Sequence, residues 1–246
     1  MEIDKDAIVR SWIKAKPVTS KKVVYTLNIN NYSPEINKLT YPFLKKYADK
    51  IQADFYVITE RKFPDYPIPY EKFQIYNLVQ EQKRDWIIYI DSDALVHPDT
   101  FDVTEILPQN TVMTCRSMFA PVQFRYDRFF KRDGRNIYAG NWFTVASKLC
   151  IDIWRPLDDI TKEEAIGNIF PSIVERNSDV VSSHLLDDYV ISRNIAKYGL
   201  KYTTFIKMLE DNGKPGEFLF HEYLYTEKEK IDNLNKVLDL WRGITT

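Results

Sequence analysis

Glycine, histidine and cysteine are scarce in this chain, with 7, 3 and 2 residues in 246. Neither a G-x-x-x-x-G-K-[ST] loop nor a G-x-G-x-x-G turn occurs, so if the protein handles phosphate it needs a device other than a glycine-rich cradle. Two cysteines, Cys115 and Cys150, are too few for a disulfide framework and are expected as reduced, buried thiols. An excess of basic charge is also missing. The 34 Lys and Arg stand against 35 Asp and Glu for a net charge of −1, which argues against a nucleic-acid or acidic-membrane binder. No window approaches the roughly 18 apolar residues of a membrane span. Residues 1–22 are charged throughout, without the apolar centre of a leader, and the expectation is a soluble, cytoplasmic chain with no membrane span.

What the chain has in quantity is aromatic and aliphatic. Trp, Tyr and Phe make up 14% of it and hydrophobic residues 44%, enough at this length to bury a sizeable core. Residues 1–20 read as an N-terminal extension with a short helix over 7–15, broken at Pro17. Residues 23–27 form a β-rich run ending in the turn-forming stretch Asn28-Ile29-Asn30-Asn31. Ser33-Pro34-Glu35 marks a helix start, with Ser33 as N-cap and Pro34 at the first helical position, and Pro42 is expected to kink or divide that helix. A second strand over 54–59, a proline-rich loop, a helix over 70–82 and the unalternating run Trp86-Ile87-Ile88-Tyr89-Ile90 follow. Such a run suits a parallel strand covered on both faces. Strand, helix, strand, helix, strand over 23–90 predicts an α/β fold with a mostly parallel central sheet flanked by helices. Residues 226–242 carry Ile231, Leu234, Val237, Leu238 and Trp241 at helical spacing and predict an amphipathic C-terminal helix that packs back on the domain.

Ligands in such sheets bind beyond the carboxyl ends of the strands. There the chain places Asp91-Ser92-Asp93, two carboxylates that a bend can bring onto one cation. Oxygen ligands of this kind suit Mg²⁺ or Mn²⁺, which would in turn be held by ligand phosphates. A metal bridge is therefore the alternative to the missing glycine loop.

The block Tyr70-Glu71-Lys72-Phe73, followed by Arg84-Asp85-Trp86-Ile87-Ile88-Tyr89-Ile90-Asp91-Ser92-Asp93-Ala94-Leu95-Val96, resembles the metal-dependent glycosyltransferases of the GT-A fold, which use nucleotide sugars. Tyr47-Ala48 before Asp54-Phe55-Tyr56-Val57 is similar to another stretch of that family, and the likeness runs from about residue 23 to 221. The resemblance implies a single transferase domain with a nucleotide-binding half over 23–110, an acceptor half over 111–222 and a small antiparallel part on the acceptor side. It implies that Asp93 binds the metal, that Asp91 binds metal or ribose, and that Ser92 lies with the donor-binding residues. The loop with Thr26, Leu27, Asn28 and Tyr32 would hold base and ribose, although Leu27 and Tyr32 read equally well as packing at a strand end. Lys72 would touch the phosphates or else be a solvated helix residue. The strand Phe218-Leu219-Phe220-His221 would deliver His221 as a third metal ligand beside Mn²⁺ or Mg²⁺, with weaker claims for His97 and His184.

On the acceptor side, residues 185–199 read as a helix with Asp187 and Asp188 at its start and Gly199 at its end, a pattern that the helix dipole and capping explain by themselves. The layout also resembles the acidic pair of inverting GT-A enzymes, with Asp188 as the base on the acceptor hydroxyl and Asp187 orienting the acceptor. A nucleotide-sugar donor (UDP favoured, GDP possible) and a carbohydrate or glycoconjugate acceptor follow from that likeness. Gly140 would let the donor sugar approach closely, and Asn141 or Trp142 would contact it, with Trp142 alternatively a core residue. The stretch 124–135 interleaves basic and aromatic residues and is expected as a loop flanking the acceptor site rather than a nucleic-acid surface. The rival classes are a haloacid-dehalogenase-type phosphatase, which also uses D-x-D, and a catalytically inactive carbohydrate-binding subunit.

Overall fold

The computed structural model describes residues 21–117, 122–124, 139–171, 182–211, 218–221 and 226–244. The expected helix over 7–15, and residues 125–135 of the expected acceptor-side loop, lie outside the described residues.

Ten strands and six helices are described: β1 (Lys22–Leu27), α1 (Pro34–Lys50), β2 (Ala53–Ile58), α2 (Ile75–Gln82), β3 (Trp86–Ile90), β4 (Ala94–Val96), β5 (Thr111–Ser117), β6 (Val122–Phe124), β7 (Ala139–Ser147), α3 (Lys162–Gly167), β8 (Ile169–Pro171), α4 (Leu186–Lys197), β9 (Lys201–Thr204), α5 (Phe205–Asp211), β10 (Leu219–His221) and α6 (Glu227–Ile244). Six strands form one sheet in the order β2-β1-β3-β7-β5-β9. β1 pairs in parallel with β2 and β3, and β5 in parallel with β9, while β7 runs against both of its neighbours. The result is the expected α/β architecture with a mostly parallel central sheet. Two antiparallel ribbons accompany it, β4 with β10 and β6 with β8. The central sheet draws strands from both sides of residue 110, so the expected halves share one continuous sheet.

All five residues of β3 are buried. Ile87 and Tyr89 join the core under α2 and α4, while Trp86, Ile88 and Ile90 join the core under α1 and α5. Cover on both faces is the reason that the strand shows no polar alternation. A third cluster seats α6: Leu234, Leu238 and Trp241 pack on Ile36 of α1 and Leu95 of β4. Cys115 and Cys150 form no disulfide and are buried, as expected.

Three local expectations are corrected. α1 runs unbroken through Pro42. Pro42 and Lys38 are both exposed, so the Lys38 carbonyl that loses its backbone donor can be hydrated, which offsets the lost hydrogen bond of an interior proline. Ser33 precedes α1 in a left-handed conformation, φ 44°, and its side chain makes no cap. Its carbonyl accepts instead from Asn37 N, and the Asn37 amide reaches back to the Tyr32 carbonyl at 2.7 Å. Residues 70–82 are not one helix: a 3-10 segment, Ile68–Gln74, leads into α2. Residues 70 to 74 are all buried there, which a helix with one solvated face does not allow.

Candidate active site

The end of β3 is where chemistry collects. Asp91 N donates to Trp142 O of β7 at 2.8 Å, which extends the β3–β7 ladder by one residue, and Ala94 N donates to Asp91 O at 3.1 Å to close a tight turn. Thr40 of α1 donates its hydroxyl to Ser92 O at 2.6 Å and pins the turn from the helix side. The chain then enters β4, which pairs with β10 so that His221 stands opposite Ala94. A turn and a two-stranded ribbon thus bring together residues 91, 93 and 221.

Asp91, Asp93 and His221 each offer one ligand atom within 4.8 Å of the others. His221 Nε2 lies 3.2 Å from Asp93 Oδ1 and 3.8 Å from Asp91 Oδ2. The other oxygen of each carboxylate is engaged elsewhere: Asp91 Oδ1 accepts from the Tyr89 hydroxyl at 2.5 Å, and Asp93 Oδ2 accepts from Lys230 Nζ of α6, also at 2.5 Å. Two oxygens and one imidazole nitrogen therefore face a common point, a donor set that fits a divalent cation of the Mg²⁺ or Mn²⁺ kind. The indole of Trp142 stacks on the His221 ring at 4.9 Å, 16° from parallel.

Charge is balanced by two lysines, Lys230 partly buried and Lys72 fully buried. Burial opposes ionisation of Asp93, but His221 and Lys230 outweigh it and hold the carboxyl below the usual carboxylate range. For Lys230, burial lowers the pKa and Asp93 raises it further, so the ammonium persists. Tyr89 is held well above the ordinary phenol value, first by burial and then by the Asp91 charge, and its hydroxyl remains a donor.

Lys72 is 1% exposed, which overturns the reading of a solvated helix residue. Its ammonium donates to Asn141 Oδ1 at 2.5 Å and Asp187 Oδ2 at 2.6 Å, lies 3.7 Å from Asp91 Oδ1, and sits over the Tyr89 ring at 4.6 Å. Asn141 Nδ2 donates to the same Asp187 oxygen at 3.0 Å. Burial works against both charges, yet each keeps the other ionised, Lys72 shifted up and Asp187 shifted down. One ammonium thus links the turn after β3 to the first turn of α4. α4 ends as expected, with Gly199 just beyond its cap at φ +62°.

The two acids of α4 differ sharply in setting. Asp187 is buried against Lys72 and Asn141, whereas Asp188 is partly exposed and still near enough to act on the Lys72 ammonium. At the end of β1, Leu27 is a core residue, and among the described residues Thr26 Oγ1 and Asn28 Oδ1 are buried without a hydrogen-bond partner. Tyr32 is half exposed, and its phenol lies close enough to Lys230 to influence it. Gly140 pairs with Arg116 across β7 and β5. His97 is buried, accepting from Asp99 N at 3.1 Å and set edge-on to Trp241 at 4.7 Å, and His184 is exposed; neither belongs to the cluster of Asp91, Asp93 and His221.

No family model matches the sequence, and no curated protein does. Among solved structures the chain is similar to the crystal structure of a glycosyltransferase involved in the glycosylation of the major capsid of PBCV-1, with a TM-score of 0.50 over 88% of this chain and 99% of that one. The two share a fold. Identity is 11%, so the likeness is one of architecture.

Sequence reasoning missed two residues of this cluster. Tyr89 had a signal, because it lies two residues before Asp91 and shares its strand face. Lys230 had none, since it stands in the charged run Glu227-Lys228-Glu229-Lys230 that reads as a solvated helix turn.

Proposed function

We propose that this protein is a metal-dependent glycosyltransferase of the GT-A type, moving a sugar from a nucleoside-diphosphate sugar to a hydroxyl acceptor. The observation that carries the reading is the convergence of Asp91 Oδ2, Asp93 Oδ1 and His221 Nε2 beyond the central strand of the fold. Asp91, Asp93 and His221 would hold the cation, Mn²⁺ being favoured over Mg²⁺ because one ligand is an imidazole. A divalent ion there would supply Lewis-acid stabilisation of the departing diphosphate. Thr26 and Asn28, with unsatisfied buried polar atoms at the end of β1, are assigned to base and ribose, with Leu27, Tyr32 and Ser92 beside them. UDP is favoured as the nucleotide.

Asp188 is assigned as the general base on the acceptor hydroxyl. Of the two acids it is the one that reaches solvent, while Asp187 is committed to Lys72 and Asn141 and holds that interior pair in place. Gly140, Asn141 and Trp142 of β7 are assigned to the donor sugar. The stereochemical assignment is inversion, by direct attack of the deprotonated acceptor oxygen.

The test is incubation of the full chain with Mn²⁺ and a panel of UDP and GDP sugars, following nucleoside diphosphate release with and without carbohydrate acceptors. Release that needs Mn²⁺ and is lost in Asp93→Ala supports the reading. Metal-independent binding of every nucleotide by wild type and variant alike would sink it.

A further inference from the structure

Asp91 has two oxygens and three neighbours that want them: the Tyr89 hydroxyl, the Lys72 ammonium, and the open side that faces His221. Tyr89 is fully buried on β3 and spends its hydroxyl on Asp91 Oδ1 at 2.5 Å, the same oxygen that Lys72 approaches at 3.7 Å. That bond keeps Oδ1 on the interior side and leaves Oδ2 pointing at His221 Nε2. We infer that Tyr89 is a positioning residue for the cation site, its hydroxyl fixing Asp91 as a one-oxygen ligand against the pull of Lys72.

The geometry gives the direction of the effect. Remove the hydroxyl and keep the ring, and Asp91 loses the bond that fixes its rotamer, while the strongest attraction left in the interior is the Lys72 ammonium. The carboxylate then swings toward Lys72 and away from His221, and the three donor atoms no longer share a point. Partners that orient a metal-binding carboxylate typically change metal affinity by about 10–100-fold. Tyr89→Phe keeps the ring that lies under Lys72 at 4.6 Å and edge-on to Trp154 at 5.7 Å, so the core around it is preserved.

This inference rests on the metal reading of the site, and the experiment separates the two. Mn²⁺ is titrated into the wild-type chain, Tyr89→Phe and Tyr25→Phe, and free aqueous Mn²⁺ is measured by electron paramagnetic resonance, which needs no substrate and no activity. Tyr25 is the control: it too is a fully buried strand tyrosine with a bonded hydroxyl, to Gln82 Oε1 at 2.9 Å, but its carboxylate neighbours are Asp54 and Glu81 rather than Asp91 and Asp93. The expected result is Mn²⁺ binding about 10–100-fold weaker in Tyr89→Phe and unchanged in Tyr25→Phe. Equal affinity in Tyr89→Phe and wild type overturns the role of Tyr89 while leaving the cation site standing. An equal loss in both variants also overturns it, as a general effect of losing a buried hydroxyl. No binding by wild type overturns the metal reading itself. If Tyr89→Phe does not fold, the wild-type chain still decides: the Tyr89 hydroxyl proton, followed by NMR, shifts on saturation with diamagnetic Mg²⁺ if its acceptor is the carboxylate that takes the ion, and an unmoved resonance overturns the inference.

Discussion

Lys72 shows how far one side chain can serve both structure and site. Its ammonium is buried among Asp187, Asn141 and Asp91, so removing it leaves the Asp187 carboxylate uncompensated in the interior. Lys72→Met is expected to destabilise the fold by about 3–5 kcal/mol, read from urea unfolding of the metal-free protein. A loss below about 1 kcal/mol would show that Asp187 finds water or protonates instead. Asp188→Ala is expected to behave in the opposite way, costing no more than about 1 kcal/mol of stability, leaving Mn²⁺-dependent nucleotide binding within error and lowering kcat about 10²–10⁴-fold. Binding and turnover measured on the same preparation separate those outcomes. At this scale the sequence was informative wherever acids followed an apolar strand, as at Asp91 and Asp93. It left Lys72 open between a phosphate contact and a solvated helix residue, because a buried partner 115 positions away leaves no local signal.

α4 is anchored by more than its apolar face. Arg193 is buried and forms a two-pronged pair with Asp159, at 2.8 and 2.9 Å, while Asn194 donates to the carbonyls of Ile153 and Arg155. Arg193 and Lys197 hold Asp159 below the usual carboxylate range, against the opposing effect of burial. Because the folded value is the depressed one, the stabilisation is fully present above the unfolded carboxylate value of about 4 and is lost as pH falls below it. Asp159→Asn is therefore expected to be less stable than wild type at neutral pH, with the gap closing as the pH is lowered through about 4 toward 2. Urea midpoints across that range check it, and a gap constant with pH contradicts it. None of this was readable from the stripe of α4, since Arg193 and Asp159 belong to separate elements. The ends of α4 were readable, because acids at the start and Gly199 at the close are local signals. α1 is the converse case. Its apolar stripe was legible, but the fate of Pro42 depended on which face met water, and that is a tertiary fact.

Across the whole molecule, β1, β2, β3 and the turn that ends β3 were legible, β3 because a strand covered on both faces writes itself as an apolar run, whereas β5 and β9 of the same sheet and the helices α3 and α5 were not read. The order β2-β1-β3-β7-β5-β9 was not, since β7 reaches its place from about fifty residues away and runs in reverse. α6 was legible as an amphipathic helix, but its bond to the site was hidden in a charged turn. That bond ties the C-terminal helix to the cation site through Lys230 and Asp93. Ion binding is accordingly expected to stabilise the entire chain. Saturating Mn²⁺ at about 100 times its dissociation constant should raise unfolding free energy by about 2.7 kcal/mol, reversed by a chelator and absent in Asp93→Ala. Thermal or urea unfolding with and without metal checks it.

The course of β7 beside the site has one more consequence. Asn141 and Trp142 are neighbours in the chain, yet Asn141 reaches Lys72 and Asp187 while Trp142 meets His221, in the stretch where the register with β5 jumps from Thr114 opposite Thr144 to Arg116 opposite Gly140. The strand works as a two-track reading frame, an amide on one track and an indole on the other. A single residue inserted before position 141 would move both side chains along the strand, taking the amide off the buried ammonium and the indole off the imidazole. Site-directed insertion there would scramble both halves of the site at once, whereas an insertion in the loop between β7 and α3 would leave both tracks in phase.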